Sequence, residues 1–461
     1  MSNINTKNYR VFLAQQFANT VANADMSMTS LYVGLGRTMP WANDTPTTPT
    51  QDVQSVEFGY WRDSIGFKRV PSAGVALVIP RVNWTYGTVY TKYDDQDPTL
   101  YSKSFYVLDT SGASYRVYKC LWNGATVTNP NGVGSIVSPA VYAGESAFPV
   151  QSPDDGYVWQ YMYGIDPTDL FLSNEWMPVY ADSYVQEVAN TFNGTLPTQV
   201  PLVISSPGAG YASNGTYTIV IAGDGANASI ANTTISVDQN GSLANVFFSN
   251  GGTRYTRVDS ISITQPLATA AALRAIIPPQ PNHAYDPVRE LGASAVMLRT
   301  VFSESESGKL TTTNDFRRIF LVHDPHLSSN TLAIATDSFY KQTYDLTIQN
   351  IGGSFTPDMS VTIANTTHAV TGTVVDIVTN GANTILRVTD VNPHGRTFAN
   401  TYLVGDVIYD TNAATTNATI NAVSTPELLP YSGDVMYVEH HSTVTRSANG
   451  QEEVKLVFNF G

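Results

Sequence analysis

Cysteine is almost missing from this sequence. Cys120 is the single one in 461 residues, which excludes any disulfide within the chain. It lies in Tyr118-Lys119-Cys120-Leu121-Trp122, an apolar strand-like run where a thiol serves as a small core residue, and no adjacent histidine marks it as a nucleophile. Charge is scarce too. Charged residues make up 13% of the chain, about half the roughly 25% of an average soluble domain, and Thr, Asn, Ser and Gly supply the polarity instead. Uncharged polar groups cost less to desolvate than ions, so this composition leans toward a protein with much of its surface in interfaces. Basic residues are the rarer sign, 24 against 38 acidic, for a formal net charge of −14. No Lys/Arg cluster offsets that field, which argues against direct nucleic-acid binding. The acidic runs, Asp94, Asp95 and Asp97 or Glu452 and Glu453, read as solvated loops or edges. No stretch approaches the ~20 apolar residues of a membrane span. Met1 to Arg10 is polar, without a signal-peptide apolar region, so the expectation is a product made and used without export through its own signal.

What the chain does have is apolar and aromatic mass: 42% apolar residues, with 26 Tyr and 18 Phe. That supports sizeable packed cores and argues against disorder, and the length predicts two to four domains. One helix is readable near the start, where Tyr9, Phe12, Leu13, Gln16, Phe17 and Val21 repeat at helical spacing behind Asn5 or Thr6 as cap. That apolar face is expected to pack on a sheet or a partner. Asp182 to Thr191 is a second helical candidate. Most of the remainder reads as strands, among them Leu31–Gly36, Val75–Ile79, Tyr115–Leu121, Tyr157–Tyr163, Phe316–Val322 and Glu453–Phe460. Tyr115–Leu121 and Tyr157–Tyr163 alternate as half-buried strands do.

Two segments, about 196–266 and 344–425, turn Gly/Asn/Thr/Val-rich and contain no tryptophan. They share a plan of strand, glycine turn, aromatic and strand, seen in Leu202 to Tyr211, again 44 residues on in Val246 to Tyr255, and in Leu346 to Phe355. Glycine admits the φ > 0 of tight turns, and the aromatic can cover the hairpin. The expected fold is mainly β: a multi-layer β-sandwich core from 1–195, 267–343 and 426–461, a few helices, and two inserted small β-domains at 196–266 and 344–425.

Candidate chemistry is thin. His323-Asp324-Pro325-His326 could offer two imidazoles and a carboxylate to a metal, but Pro325 bends the chain and no Glu-x-x-His companion appears, so a strand-end turn is the better reading. His440 and His441 are neighbours in extended backbone and point to opposite faces. His283, His368 and His394 are isolated in sequence. Asp224 between Gly223 and Gly225 lacks the following carboxylates of a calcium loop and reads as a hairpin turn. No Gly-x-Ser-x-Gly elbow, Walker loop or His-Glu-x-x-His helix is present. The expectation is a non-enzyme with no cofactor and no metal. The tryptophans Trp41, Trp61, Trp84, Trp122, Trp159 and Trp176 suit sugar-stacking platforms, interface anchors or core packing, worth roughly 1.5–3 kcal/mol for a fully buried large apolar side chain. Core packing is the reading for most; Trp41, beside Pro40 in a long loop, is the interface candidate.

Ser432 to His441, Arg446 and Gln451 to Phe460 together resemble the end of the T-even-type baseplate wedge subunit of contractile-tailed bacteriophages, the wedge protein that forms dimers. Gly36 to Trp41, Val78 to Trp84, Val117 to Leu121 and Asp155 to Tyr161 also match, and Tyr285-Asp286-Pro287 and Phe316 to Ile319 less specifically. The matches run in order through the inferred core and skip both Gly/Asn/Thr-rich segments. The resemblance implies a non-catalytic scaffold in the virion tail baseplate, assembled in the host cytoplasm. Its implied partners are itself, as a homodimer, and other baseplate wedge proteins. The alternative is a virion surface adhesin, a glycan-binding module using the two insertions; a polysaccharide-cleaving enzyme is a third reading.

Overall fold

The structure, a computed structural model, describes residues 4–23, 29–50, 53–312, 314–363, 369–447 and 449–461. The protein is mainly β, as its sequence predicts, with several antiparallel sheets, a closed barrel and few helices. Two compact units divide the chain. One comprises Met1–Gln15, Ala76–Val296 and Phe458–Gly461; the other comprises Gln16–Val75 and Met297–Val457.

In the first unit the strand Tyr115–Asn123 pairs with Tyr106–Asp109 on one side and Tyr157–Ile165 on the other. Their alternating sequences suggest one wet face, yet Val117 to Asn123 and Tyr157 to Tyr163 are buried throughout. The polar positions have found internal partners: Lys119 pairs with Glu290 at 2.8 Å, and Gln160 donates Nε2 to the Ala147 carbonyl at 3.2 Å. Aromatic rings fill the space between. Tyr157 and Trp159 stack with centroids 5.3 Å apart, and Tyr90 meets Trp159 edge-on. The helix Ser183–Thr191 forms where its sequence predicts, capped by Asp182, whose carboxylate accepts from the Tyr184 and Val185 N–H groups.

The same unit holds a sheet in the order Thr218–Gly223, Val258–Thr264, Ala272–Arg274, Val203–Ser206. It continues past residue 266 because Ala272–Arg274 joins Val203–Ser206 to Val258–Thr264. Tyr211 and Tyr255, the aromatics of the repeat, are both buried in the local core. The first copy makes its turn at Gly208, φ +66°. The second does so at the equivalent Gly252, φ +62°, while its neighbour Gly251 lies where a Cβ would overlap the Leu196 carbonyl. Gly252 thus supplies the turn and Gly251 the close backbone approach.

In the second unit five antiparallel strands stand in the order Phe339–Lys341, Ser64–Arg69, Leu31–Gly36, Asp315–His323, Asp434–Thr445. Leu31–Gly36 is central and wholly buried. A Cβ on Gly34 would stand 2.6 Å from the Phe320 ring and 2.8 Å from Phe67, so glycine there lets those two rings meet edge to face, 5.3 Å apart. Six further strands close a barrel: Tyr344–Gly352, Asn383–Asn392, Val370–Asn380, Ser360–Ile363, Val407–Asp410 and Asn417–Ser424. Closure leaves no open sheet edge. Leu346, Val374, Leu386, Val388, Ile408 and Ile420 fill the interior at 0% exposure. The chain enters and leaves the barrel side by side, since the Glu427 N–H donates to the Lys341 carbonyl at 2.9 Å.

Two helices differ from expectation. Lys7–Ala22 begins where predicted, with Thr6 Oγ1 accepting from the Tyr9 N–H at 3.3 Å. It buries Val11, Ala14 and Val21, however, and turns Tyr9 and Phe12 outward at 48% and 52% exposure. A small-residue stripe one step round from the aromatic one fits closer against its neighbours. Gln54–Arg62 is a helix with no apolar stripe or side-chain cap to announce it; Val53 stands at its N-cap.

Candidate functional site

Trp41 is turned into the chain. Its ring is 6% exposed, Nε1 donates to the His441 carbonyl at 2.8 Å, and the Arg37 guanidinium stands 3.7 Å over the ring. The His440 imidazole lies 4.5 Å away. Little of the indole is left for a partner; it pins its loop onto the Asp434–Thr445 strand. His440 is committed at both nitrogens. Nδ1 donates to the Thr47 carbonyl at 2.7 Å, and Nε2 accepts from Arg318 Nε at 3.1 Å. Arg318 in turn holds Asp63 at 2.5 Å. Burial pushes the Asp63 carboxyl up to about 6 against the pull of Arg318. Burial also lowers His440, with Arg318 and Arg37 adding to it against the Thr47 bond. The ring is thus a neutral structural link.

The other histidines and acids singled out by sequence are not brought together as a site. His323 ends its strand, and Asp324, at φ +50°, accepts from the Ser30 N–H at 2.6 Å. His326 Nδ1 donates to the Thr331 carbonyl at 2.8 Å. Asp224 accepts from the Thr256 and Arg257 N–H groups at 3.0 Å, as a turn residue does. Cys120 is fully buried, and burial pushes its thiol well up. His394 sits in a turn, its N–H donating to Asn392. His368 lies outside the described residues. Among the described residues no group of three or more His, Cys, Asp and Glu side chains is placed to hold a metal ion, and no helix is long and apolar enough to cross a membrane.

One buried charge cluster is not revealed by sequence spacing. Lys119 Nζ lies 2.8 Å from Glu290 and 3.1 Å from His283 Nδ1, and 4.0 Å over the Tyr93 ring. Lys119 is 0%, His283 4% and Glu290 5% exposed. Burial pushes the Glu290 carboxyl up, but Lys119 and His283 outweigh it and hold it at about 2. Burial, and then the Lys119 charge, push His283 down to about 4. The one signal in the sequence is a lysine inside an apolar strand, whose ammonium must find a partner. Buried at all three side chains, the cluster ties the Tyr115–Asn123 strand to the Pro287–Glu290 helix.

Apolar surface is the feature the molecule offers outward. Phe148 and Phe192 meet edge-on at 5.3 Å, and Phe58 meets Tyr431 at 4.5 Å, in pairs that are all more than a third exposed. No family model matches the chain. It is similar to baseplate wedge protein gp8 of Enterobacteria phage T4. The two are 25% identical over 187 residues, which is 35% of this chain and 55% of that protein. The chain thus spans about half the length of the relative it matches.

Proposed function

We propose that this chain is a structural subunit of a phage tail baseplate wedge, a scaffold that links neighbouring wedge proteins and catalyses nothing. The likeness to a baseplate wedge protein carries this reading. It is supported by a charge-poor composition and by titratable groups spent on internal pairs, with exposed aromatic pairs left over. On this reading the chain resides in the virion, as a homodimer in contact with other wedge proteins. A stable dimer would bury about 800 Å² per partner. The segments 196–266, with its sheet running on to Arg274, and 344–425 are modules inserted into a discontinuous core, the second bounded by the Lys341–Glu427 backbone bond. Mechanically, rigid β-units hold partner surfaces at fixed spacing and pass on a rearrangement without absorbing it. Immunogold labelling of purified virions with antibody to this chain tests the placement. Gold at the tail end supports it; gold on the capsid or none on intact particles refutes it.

A further inference from the structure

Within the second unit a pocket of about 320 Å³ is lined by the Gln54–Arg62 helix, the barrel and the chain on either side of the barrel. Trp61, Tyr344, Val391, Phe398, Leu429 and Tyr431 supply its apolar walls. An apolar cavity of roughly 150 Å³ holds one benzene ring, so this larger space admits a fused two-ring group, about half as large again as benzene. Gln342 is also in the wall and is 4% exposed. Its Nε2 donates to the Leu428 carbonyl at 3.3 Å, and its Oε1 has no hydrogen-bond partner among the described residues. An unpaired buried acceptor is unfavourable, and a flat apolar group with a single N–H would relieve it. Indole has that shape and that donor; a phenol fills less of the space, and an aliphatic side chain brings no donor. At the mouth, exposed Phe58 and Tyr431 form an apolar rim, and Arg62 is tied to Asp390 at 2.6 Å. A deep aromatic anchor ringed by contacts that exclude water is the usual form of an interface hot spot.

We propose that this pocket receives a tryptophan side chain of a neighbouring, different protein. A second copy of this chain is not the donor, because all six of its tryptophans are buried or half-buried. The identity of the neighbour as a wedge protein rests on the function proposed above; the chemistry of the pocket does not.

The probe is 5-fluoroindole with the full-length chain, observed by fluorine NMR. Its analogue 1-methyl-5-fluoroindole keeps the ring system and lacks the N–H. We expect 5-fluoroindole to bind, to be displaced by N-acetyltryptophanamide more readily than by N-acetyltyrosinamide, and to exceed the methylated analogue about fivefold or more in affinity. Gln342→Met should erase that preference while both rings still bind. Tyr431→Arg, at an exposed side chain, should abolish binding of both and serves as the second variant if Gln342→Met fails to fold. No binding at millimolar concentration, a preference that survives Gln342→Met, or tyrosinamide displacing as well as tryptophanamide overturns the proposal. Each result is independent of where the chain sits in a virion, so failure of the baseplate reading and failure of the pocket are told apart.

Discussion

Replacing Lys119 with Met removes a cation from a site closed to water and leaves its anion behind. Glu290 would keep His283, 3.8 Å away, the Asp286 N–H at 3.4 Å and the more distant charge of Lys7. Removing one partner of a buried pair costs about 3–5 kcal/mol, because the remaining charge is uncompensated. With His283 still available, the expected loss at pH 7.5 is near the lower end, about 3 kcal/mol. The pH dependence identifies the cause. In the native chain His283 titrates at about 4, below its unfolded value of about 6.5. As pH falls through that window the unfolded chain takes the proton first, so native stability declines, by up to about 3 kcal/mol. Without Lys119 the Glu290 carboxylate draws a proton onto His283, so the variant recovers part of its deficit below about pH 6. Urea unfolding at pH 7.5 and pH 5, followed by tryptophan fluorescence, reads both effects; Trp84, Trp122, Trp159 and Trp176 report from the same unit. The double variant Lys119→Met/Glu290→Met should return to within about 1–2 kcal/mol of the parent. A single variant within about 1 kcal/mol of the parent at pH 7.5, or with the same deficit at both pH values, would refute the reasoning.

Trp41→Ala should destabilise the second unit by about 3 kcal/mol, through the lost ring burial and the His441 hydrogen bond, with hydrogen exchange quickening first along Asp434–Thr445; unchanged exchange there contradicts the pinning role. Cys120 should resist a thiol reagent in the folded chain and react at the rate of unfolding, so prompt labelling of native protein would show the burial to be wrong. Deleting 344–425 and joining the ends with a short Gly-Ser linker should leave a cooperative unfolding transition, because Lys341 and Glu427 are already adjacent. Loss of that transition would end the insertion model.

Much of the fold could be read from local sequence. Strands with continuous apolar runs, such as Leu31–Gly36, and the capped helix at Asp182 lie where periodicity puts them, because their own residues fix both conformation and burial. What escaped depends on distant partners. Lys119 and Gln160 make their strands look half-wet; the distant Glu290 and His283 make the first dry, and the carbonyls of Ala147 and Tyr161 satisfy the second. The Lys7–Ala22 helix shows its aromatics outward because close packing selected Ala14 and Val11. The helix Gln54–Arg62, with Gly59 inside and no capping side chain, forms with Tyr60 and Trp61 buried, a tertiary effect over local propensity. Trp41 stands out in sequence by its loop, yet its burial comes from Arg37 and the distant His440 and His441, while the pocket beside the barrel joins residues from four separated stretches and has no local signature.

A cryo-electron microscopy map of the intact tail tip, at a resolution that traces side chains, bears most directly on the scaffold reading. The chain should appear as dimers repeated around the tail axis, wedged between other baseplate proteins, with its buried Lys119 and Arg318 networks unchanged. Its density at a capsid vertex or at the receptor-binding tip of a fibre, or its absence from the particle, would contradict that role.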